Sequence, residues 1–422
     1  MRFVMTHPSQ APSKVPASDE PIAESPPEEC VGGQPPFVRF LQSGFVLLAT
    51  VIGCQALSAS ASSRSSVVAI SNGGGSGANA EFMAGFAVGL DQVRACGVDP
   101  ASVDWLSVAP GDDPSALLGQ QVSVLVAPFS ADLSIYAQLA SQRKLGVLLP
   151  YQRGESLRSL AELDPEGRLH PVVPPYQQDL NQLIGDLLDQ GIRRVMVVAD
   201  PTDRSADQAE SFVSAFQGDG GIVDSYEPSL VQTVSADDAA ALERLFKDVS
   251  WKGPQAIVLA AAHDSVLAQK LDRAQASGRL GQRPEALLRV WLLPHHRVSD
   301  LSERSWPQLI LDQPAHGPGW GDFASIYRRS RGEQPTLLAA SGFDTARLVA
   351  LSSLAPPPVS TEGTRDPLGW LDPAQEPTLL CDAIEDRLGG QPVRLIGAAS
   401  DLVLRPGQSP SGQATIRRIP GR

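Results

Sequence analysis

The chain is poor in aromatic residues, in cysteine and in long apolar runs. Only 5% of its 422 residues are aromatic and four are cysteine, while 34 Lys plus Arg against 47 Asp plus Glu give a formal charge of −13. So few cysteines exclude a small disulfide-rich scaffold, and the apolar pattern excludes a multispan membrane protein. The acidic balance argues against nucleic-acid binding, which requires clustered Lys and Arg. The length predicts two or three domains with substantial cores.

The sequence also lacks the motifs that carry catalytic or metal chemistry. It contains no C-x-x-C pair, no G-x-S-x-G and no H-E-x-x-H, which are patterns of metal sites and hydrolases. The glycine-rich segment 72–77 has neither the Lys-Ser/Thr ending of a phosphate loop nor the G-x-G-x-x-G spacing of a dinucleotide site. We therefore expect no enzyme, no cofactor and no metal.

The N-terminal 54 residues have the pattern of an export signal. Residues 1–37 are rich in Pro, Ser and acidic side chains, a composition that predicts a disordered leader. Residues 38–54 carry a basic residue, a short apolar run and small residues, which is a signal pattern and too short to span a bilayer comfortably. Residues 55–65, mostly Ser and Ala, predict a flexible linker. A start near residue 38 would explain the unusual length of the leader.

Two interpretations of the segment around Cys54 are open. Val51-Ile52-Gly53-Cys54 resembles the lipobox of bacterial lipoproteins, in which the cysteine is lipidated and becomes the new N-terminus. In the alternative reading an ordinary signal peptide is cleaved around residues 56–61, and Cys54 is only part of the apolar run. The lipobox is favoured, because cysteine is uncommon in that place and glycine before it suits the peptidase.

From Ser66 onward, short β-branched runs alternate with segments of helical period, which predicts parallel α/β units. Strands are expected at 67–70, 105–108, 122–126, 146–149, 194–199, 221–226, 256–259 and 288–293. Helices are expected at 79–95, 133–142, 177–190, 206–217, 239–248, 265–276, 321–331, 337–354 and 377–388. Two sheets are implied, with the proline-rich segment 172–175 as a hinge candidate.

Four stretches carry a family resemblance through their order along the chain: Val122 to Pro150, Ile192 to Tyr226, Trp320 to Leu354 and Leu379 to Gly421. Together they resemble the type I periplasmic-binding family, the leucine/isoleucine/valine-binding-like receptors of ABC transporters. It implies two doubly wound α/β lobes joined by three crossovers, with a ligand enclosed between them. Lobe one would comprise 66–173 and 314–392, and lobe two 174–313 and 393–421.

In that resemblance the ligand contacts of lobe one follow two strands. Ser130 offers a hydroxyl and free amides at a helix start, which can bind a carboxylate; a plain N-cap is the alternative. The next loop, Tyr151-Gln152-Arg153, is bulkier than the small residues of amino-acid-binding relatives. Arg153 could bind an anionic ligand with its planar guanidinium, or could be a solvated surface side chain.

The contacts expected from lobe two follow the hinge and two strands. Tyr176 and Asp179 come directly after the hinge, His263 and Asp264 after one strand, and His295 after the next. Histidine stands where the family places aromatic and acidic contacts, so the amine-binding chemistry of the family does not carry over. A hydrogen-bonding role is expected for these histidines rather than a metal site.

The resemblance implies a solute-binding protein of an ABC transporter, and the N-terminal pattern predicts that it is exported and lipid-anchored in the periplasm or cell envelope. Its expected partners are a small polar ligand, amino-acid-like or anionic, and an inner-membrane permease, and nucleic acid is not among them. The alternative is a lipoprotein of the same fold without a ligand, acting as a protein-interaction or cell-wall-synthase regulatory module. The bulky second loop, the shortened segment 110–119 and the long proline-rich loop 355–375 favour the alternative.

Overall fold

The computed structural model describes residues 66–72, 77–100, 102–109, 111–225, 229–281, 283–293, 304–354 and 367–421. The predicted leader, signal segment and linker, with Cys54, lie outside the described residues, and so does His295.

The described residues form alternating strands and helices, as the pattern of β-branched runs predicts. The strands are β1 Ser66–Asn72, β2 Val103–Val108, β3 Val122–Val126, β4 Gly146–Leu149, β5 Leu169–Pro171, β6 Arg194–Ala199, β7 Ile222–Val223, β8 Val231–Thr233, β9 Ala256–Ala260, β10 Leu288–Trp291, β11 Gln308–His316, β12 Pro377–Thr378, β13 Arg394–Leu395 and β14 Gln413–Ile419. The helices are α1 Gly77–Ala95, α2 Leu133–Arg143, α3 Leu160–Leu163, α4 Tyr176–Asp189, α5 Asp203–Gly218, α6 Ala239–Lys252, α7 Val266–Ala276, α8 Trp320–Arg331, α9 Leu337–Ser352 and α10 Leu380–Leu388.

The first sheet has the strand order β2-β1-β3-β4-β5, and all its pairings are parallel. Alternate residues of its strands enter two different cores, because side chains of a strand point to opposite faces. Val124 packs with α1 and α9, whereas Leu125 packs with α2. Between β2 and β3 the only helical turn of the described residues is Pro114–Ala116, which confirms the predicted shortening of this segment.

The second sheet has the order β14-β11-β10-β9-β6-β7, with β8 also pairing with β6. Its pairings are parallel except that of β14 with β11, which is antiparallel. Val197 lies in a core with α4 and α5, and Val198 lies in a core with α6 and α7. Helix α4 packs there because Leu180, Leu183, Ile184 and Leu187 recur at helical spacing on one face.

Three segments connect the elements around the first sheet with those around the second. The first connection runs from β5 to α4 through 172–175, the second from β11 to α8 through 317–319, and the third from β13 to β14 through 396–412. Three connections are what the resemblance implies. The fold is therefore two doubly wound α/β lobes, as predicted, and we call them the first and the second lobe after their sheets.

The division of the chain between the lobes stays a prediction. The packing of the residues after 392 differs from what that division leads one to expect. Residues from 393 onward were expected in lobe two. The side chains of Val393, Leu395, Leu402 and Leu404, however, pack in the core formed by β1, α1 and α9. The last two strands of the described residues also lie in different sheets, since β13 pairs with β12 whereas β14 pairs with β11.

A disulfide joins Cys96 and Cys381, which are 285 positions apart in the sequence. It links the end of α1 to the start of α10. The helix α10 lies between β12 and β13, so the disulfide attaches this small unit to the first lobe in addition to its apolar contacts.

Candidate functional site

The loops that follow β3 and β4 lie side by side at the carboxyl edge of the first sheet. Gln152, only 9% exposed, joins them: its Nε2 donates to the carbonyl of Pro128 at 2.9 Å, and its Oε1 accepts from the amide of Tyr151 at 3.3 Å. The amide side chain thereby fixes the segment that leads into Ser130. In parallel α/β sheets this edge is where ligands bind.

Tyr151 fills the space beneath these loops. Its ring centroid lies 4.9 Å from that of Phe82 and 5.8 Å from that of Phe129, and its hydroxyl donates to Oδ1 of Asn79 at 3.4 Å. Burial raises the pKa of Tyr151, so the phenol is neutral at ordinary pH. Phe129 is 57% exposed and Ser130 beside it is exposed, so an apolar ring and a hydroxyl face solvent together at this edge.

Arg153 connects the loop after β4 with the second lobe. Its Nε donates to the carbonyl of Pro174 at 2.7 Å, and its Nη2 donates to Oδ2 of Asp179 at 2.9 Å. The Asp179 side chain is 1% exposed, and its Oδ1 accepts from the amide of Ala315 at 2.6 Å. Burial raises the pKa of Asp179, while the Arg153 guanidinium and the Ala315 amide oppose that shift. Charge–charge attraction and backbone hydrogen bonds thus hold these groups together.

Tyr176, at the start of α4, touches both lobes. Its amide donates to the carbonyl of Arg153 at 2.8 Å, and its hydroxyl donates to the carbonyl of Leu292 at 3.2 Å. Leu292 directly follows β10, so Tyr176 reaches the carboxyl edge of the second sheet. Desolvation raises the pKa of Tyr176, and the nearby carboxylate of Asp179 adds to that effect.

His263 and Asp264 follow β9, the strand that pairs with β10 in parallel. His263 is half-buried and Asp264 is exposed. The carbonyl of Asp264 accepts from Nε2 of Gln269 at 3.0 Å, which ties this loop to the first turns of α7. Both residues therefore lie at the same sheet edge that Tyr176 reaches through Leu292.

The structure thus brings Ser130, Tyr151, Gln152, Arg153 and Tyr176 into one connected group. It places His263 and Asp264 at the end of the neighbouring strand of the second sheet. Whether these side chains contact a ligand stays a prediction. Two cavities of about 340 and 310 Å³ lie elsewhere on the first lobe, and none of the predicted site residues lines them.

Three contact partners of the predicted site residues were not predicted from the sequence: Phe129, Asn79 and the amide of Ala315. Phe129 could have been found from its place beside Ser130. Asn79 lies 72 positions from Tyr151, and the amide of Ala315 lies 136 positions from Asp179. Contacts over such separations leave no local signal in a single sequence.

Two further features of the described residues concern metal binding and membrane-spanning helices. Within those ranges no group of three or more His, Cys, Asp and Glu side chains could hold a metal ion. None of the helices that the structure describes has both the length and the apolar character needed to cross a membrane.

No protein-family profile matches the chain, and no curated protein matches it. Solved structures do match. A putative branched-chain amino acid ABC transporter protein from Rhodospirillum rubrum is 17% identical, with a TM-score of 0.55 over 84% of this chain and 96% of its own. The chain has the type I periplasmic binding protein fold.

Two further structures of this fold contain ligands. An ABC transporter substrate-binding protein from Desulfitobacterium hafniense in complex with Leu is 15% identical, with a TM-score of 0.51 over 84% of this chain and 97% of its own. A solute-binding protein of an ABC transporter from R. palustris in complex with benzoate is 12% identical, with a TM-score of 0.50 over 84% of this chain and 93% of its own. At these identities the likeness shows the fold.

Proposed function

We propose that this chain is the extracytoplasmic solute-binding protein of an ABC transporter, capturing a small polar solute between its two lobes. The observation that carries the proposal is the connected group at the sheet edges. The loops after β3 and β4 of the first lobe meet the start of α4, and Tyr176 extends the group to the end of β10 in the second lobe. A solute held there would touch both lobes, which is how a ligand can favour the closed arrangement.

The similar solved structures support the same proposed function. The titles of the similar structures describe substrate-binding proteins of ABC transporters, one in complex with Leu and one with benzoate. Since periplasmic binding proteins of this fold deliver solutes to a permease, the proposed partners are a small-molecule ligand and an inner-membrane ABC permease. The proposed activity is binding and delivery, without catalysis or a cofactor.

The side chains at the edge indicate what the solute would be. In our proposal Ser130, Tyr176, His263, Asp264 and His295 supply its polar contacts and Phe129 supplies an apolar one, while Tyr151 and Gln152 form the first-lobe wall of the site. Tyr151 and Gln152 are both 9% exposed, so the loop after β4 leaves less space than small residues would. We therefore expect a solute that contacts the first lobe mainly at Ser130 and Phe129.

The proposed location is the periplasm or cell envelope, with a lipid anchor at Cys54. Support comes from the disulfide between Cys96 and Cys381, because disulfides form and persist in oxidising compartments and are rare in the cytosol. The lipobox-like Val51-Ile52-Gly53-Cys54 supports the anchor.

A ligand screen tests the proposed function. Purified residues 55–422 would be examined by thermal shift and native mass spectrometry against amino acids, amides, short peptides and small carboxylates. We expect a stabilising ligand whose effect is lost in Ser130→Ala together with Phe129→Ala and kept in Ser141→Ala, a serine on α2. A protein that no compound stabilises and that purifies with none would favour the alternative, a ligand-free interaction module.

A labelling experiment tests the anchor separately. Cells expressing the full chain would be fed an alkyne-tagged fatty acid and fractionated. We expect the label and the membrane association to be lost in Cys54→Ser and kept in Cys30→Ser. A soluble exported wild-type chain that carries no label would instead indicate the ordinary signal peptide.

A further inference from the structure

The connection between the lobes contains a buried ion pair that the proposed ligand contacts do not need. Arg153 belongs to the loop after β4 of the first lobe, and Asp179 belongs to α4 of the second. Their side chains are 19% and 1% exposed and lie 2.9 Å apart. The same two side chains bind two backbone groups: Arg153 binds the carbonyl of Pro174 in the first connection, and Asp179 binds the amide of Ala315 near the end of β11, the strand that leads into the second connection.

The polar atoms of Arg153 and Asp179 named above bind each other or the backbone near the connections between the lobes. Arg153 uses Nε for a carbonyl and Nη2 for a carboxylate, which is possible because the guanidinium presents several donors in a fixed plane. Asp179 uses one carboxylate oxygen for Arg153 and the other for the amide of Ala315. Breaking a buried pair of this kind leaves a charge without compensation, so the pair resists separation of the groups it joins.

We propose that Arg153 is a positioning residue that sets the angle between the two lobes, and that it acts through Asp179 and the two connections rather than by touching the solute. We name Arg153, Asp179, the carbonyl of Pro174 and the amide of Ala315 the interlobe clamp. The proposal rests on the two-lobe hinge of the proposed function, but it concerns the chain without a solute. Hinge angles in such folds are set by a few residues at element ends, and the interlobe clamp lies at the ends of β5, α4 and β11.

The clamp predicts a specific effect on the distance between the lobes. Donor and acceptor dyes would be coupled to two p-azidophenylalanine residues, placed at the exposed positions Gln138 on α2 and Arg244 on α6. Single-molecule fluorescence transfer between the dyes would report that distance on the full chain without ligand. We expect Arg153→Met and Asp179→Asn each to shift and broaden the distance distribution. Arg153→Met should have a smaller effect in the Asp179→Asn background than in the wild type, because both changes break the contact between the two side chains and only Arg153→Met also removes the bond to Pro174.

Two further variants separate positioning from simple loss of stability. Arg168 pairs with Glu166 at 2.8 Å inside the first lobe, and its side chain is 8% exposed. Arg168→Met should therefore lower the melting temperature without shifting the distance. Arg153→Lys keeps the charge but replaces the planar guanidinium, whose Nε and Nη2 donate to two different acceptors, by a single ammonium, so we expect it to restore the wild-type distribution only in part.

Opposite results would overturn the proposal. A distance distribution of Arg153→Met that superimposes on that of the wild type would do so, and so would an equal shift in Arg168→Met. Because the measurement needs no solute, a negative ligand screen leaves it interpretable. Conversely, if the wild type binds solutes and Arg153→Met leaves the distance unchanged, the proposal of the interlobe clamp is wrong and the proposed transport function stands.

Discussion

Asp344 holds the third connection in the same way as Asp179 holds the end of β11 at the second. Oδ2 of Asp344, on α9 of the first lobe, accepts from the amides of Ala398 and Ala399 at 2.7 Å each. Oδ1 of Asp179, on α4 of the second lobe, accepts from the amide of Ala315 at 2.6 Å. Each carboxylate has an arginine beside it, Arg347 and Arg153 respectively. Buried carboxylates from opposite lobes thus hold the third connection and the strand end that leads into the second.

The burial of Asp344 predicts a pH-dependent stability. Desolvation raises the pKa of Asp344 from 3.8 to about 6, against the opposing effects of Arg347 and the two amides. Between these values the folded chain carries a proton that the unfolded chain has lost, so the free energy of unfolding decreases as the pH rises from about 4 to about 6. At about 1.4 kcal/mol per pKa unit, the contribution is of the order of 3 kcal/mol.

Urea denaturation at several pH values measures this effect. The difference in unfolding free energy between the wild type and Asp344→Asn should decrease through that interval, since the amide does not titrate. Asp237→Asn, at a position in the exposed turn before α6, serves as the charge control. A constant difference across the interval would show that Asp344 does not titrate there.

The disulfide between Cys96 and Cys381 should contribute directly to stability. It closes a very long loop, so its removal relaxes the unfolded chain and loosens the unit formed by β12, α10 and β13. We expect reduction to lower the unfolding free energy by about 2–4 kcal/mol. Denaturation with and without reductant measures this, and Cys381→Ser should be as unstable as the reduced wild type and insensitive to reductant. A reductant effect that persists in Cys381→Ser would contradict the assignment.

The contact between α1 and α9 depends on glycine. A Cβ added to Gly85 would lie 1.8 Å from the carbonyl oxygen of Ala339, and one added to Gly342 would lie 2.0 Å from that of Phe82. Because both neighbours are backbone atoms, the helices would have to separate. We expect Gly85→Ala to destabilise the chain by about 2 kcal/mol or more, measured by thermal and chemical denaturation.

Gly185 in α4 is the matched control for this substitution. A Cβ added there meets no atom within 4 Å. Gly185→Ala should therefore stabilise the chain by about 0.5–1 kcal/mol, through helix propensity alone. Equal effects of the two substitutions would rule out a role for the helix contact.

Gln152 should matter for stability as well as for the shape of the site. Replacing it with Leu leaves the buried carbonyl of Pro128 without its donor, which costs about 1–3 kcal/mol. Gln142→Leu, at an exposed position on α2, should change the unfolding free energy by less than about 0.5 kcal/mol. Chemical denaturation measures the unfolding free energy of both variants. An unchanged unfolding free energy in Gln152→Leu would show that other groups hold the two loops together.

Sequence reasoning predicted most elements of the fold because their signals are local. The β-branched runs at β3, β4 and β6 and the apolar period of α4 each specify one element without reference to the rest of the chain. Strand β11 was missed, since Asp312 and Pro314 interrupt its apolar run. The predicted helix from 377 begins at Leu380, because Pro377 and Thr378 form β12 with the distant β13.

The candidate site was predicted only as far as local signals reach. Residues after strand ends were expected to gather at the sheet edges, and Ser130, the loop 151–153 and Tyr176 do so. The contacts between them could not be predicted, because Arg153 meets Asp179 across 26 positions and Asp179 meets Ala315 across 136. The disulfide escaped prediction for the same reason, since nothing near Cys96 indicates which cysteine lies beside it.

The antiparallel strand β14 has a consequence for how the protein is made. It supplies the edge of the second sheet from residues 413–419, by pairing with β11 at residues 308–316. The second lobe therefore cannot complete its hydrogen bonding until residues 413–419 have left the ribosome, and the first lobe likewise waits for α9 and α10. Such long-range closure slows folding, so neither lobe can reach its final hydrogen bonding and core packing from its N-terminal elements alone.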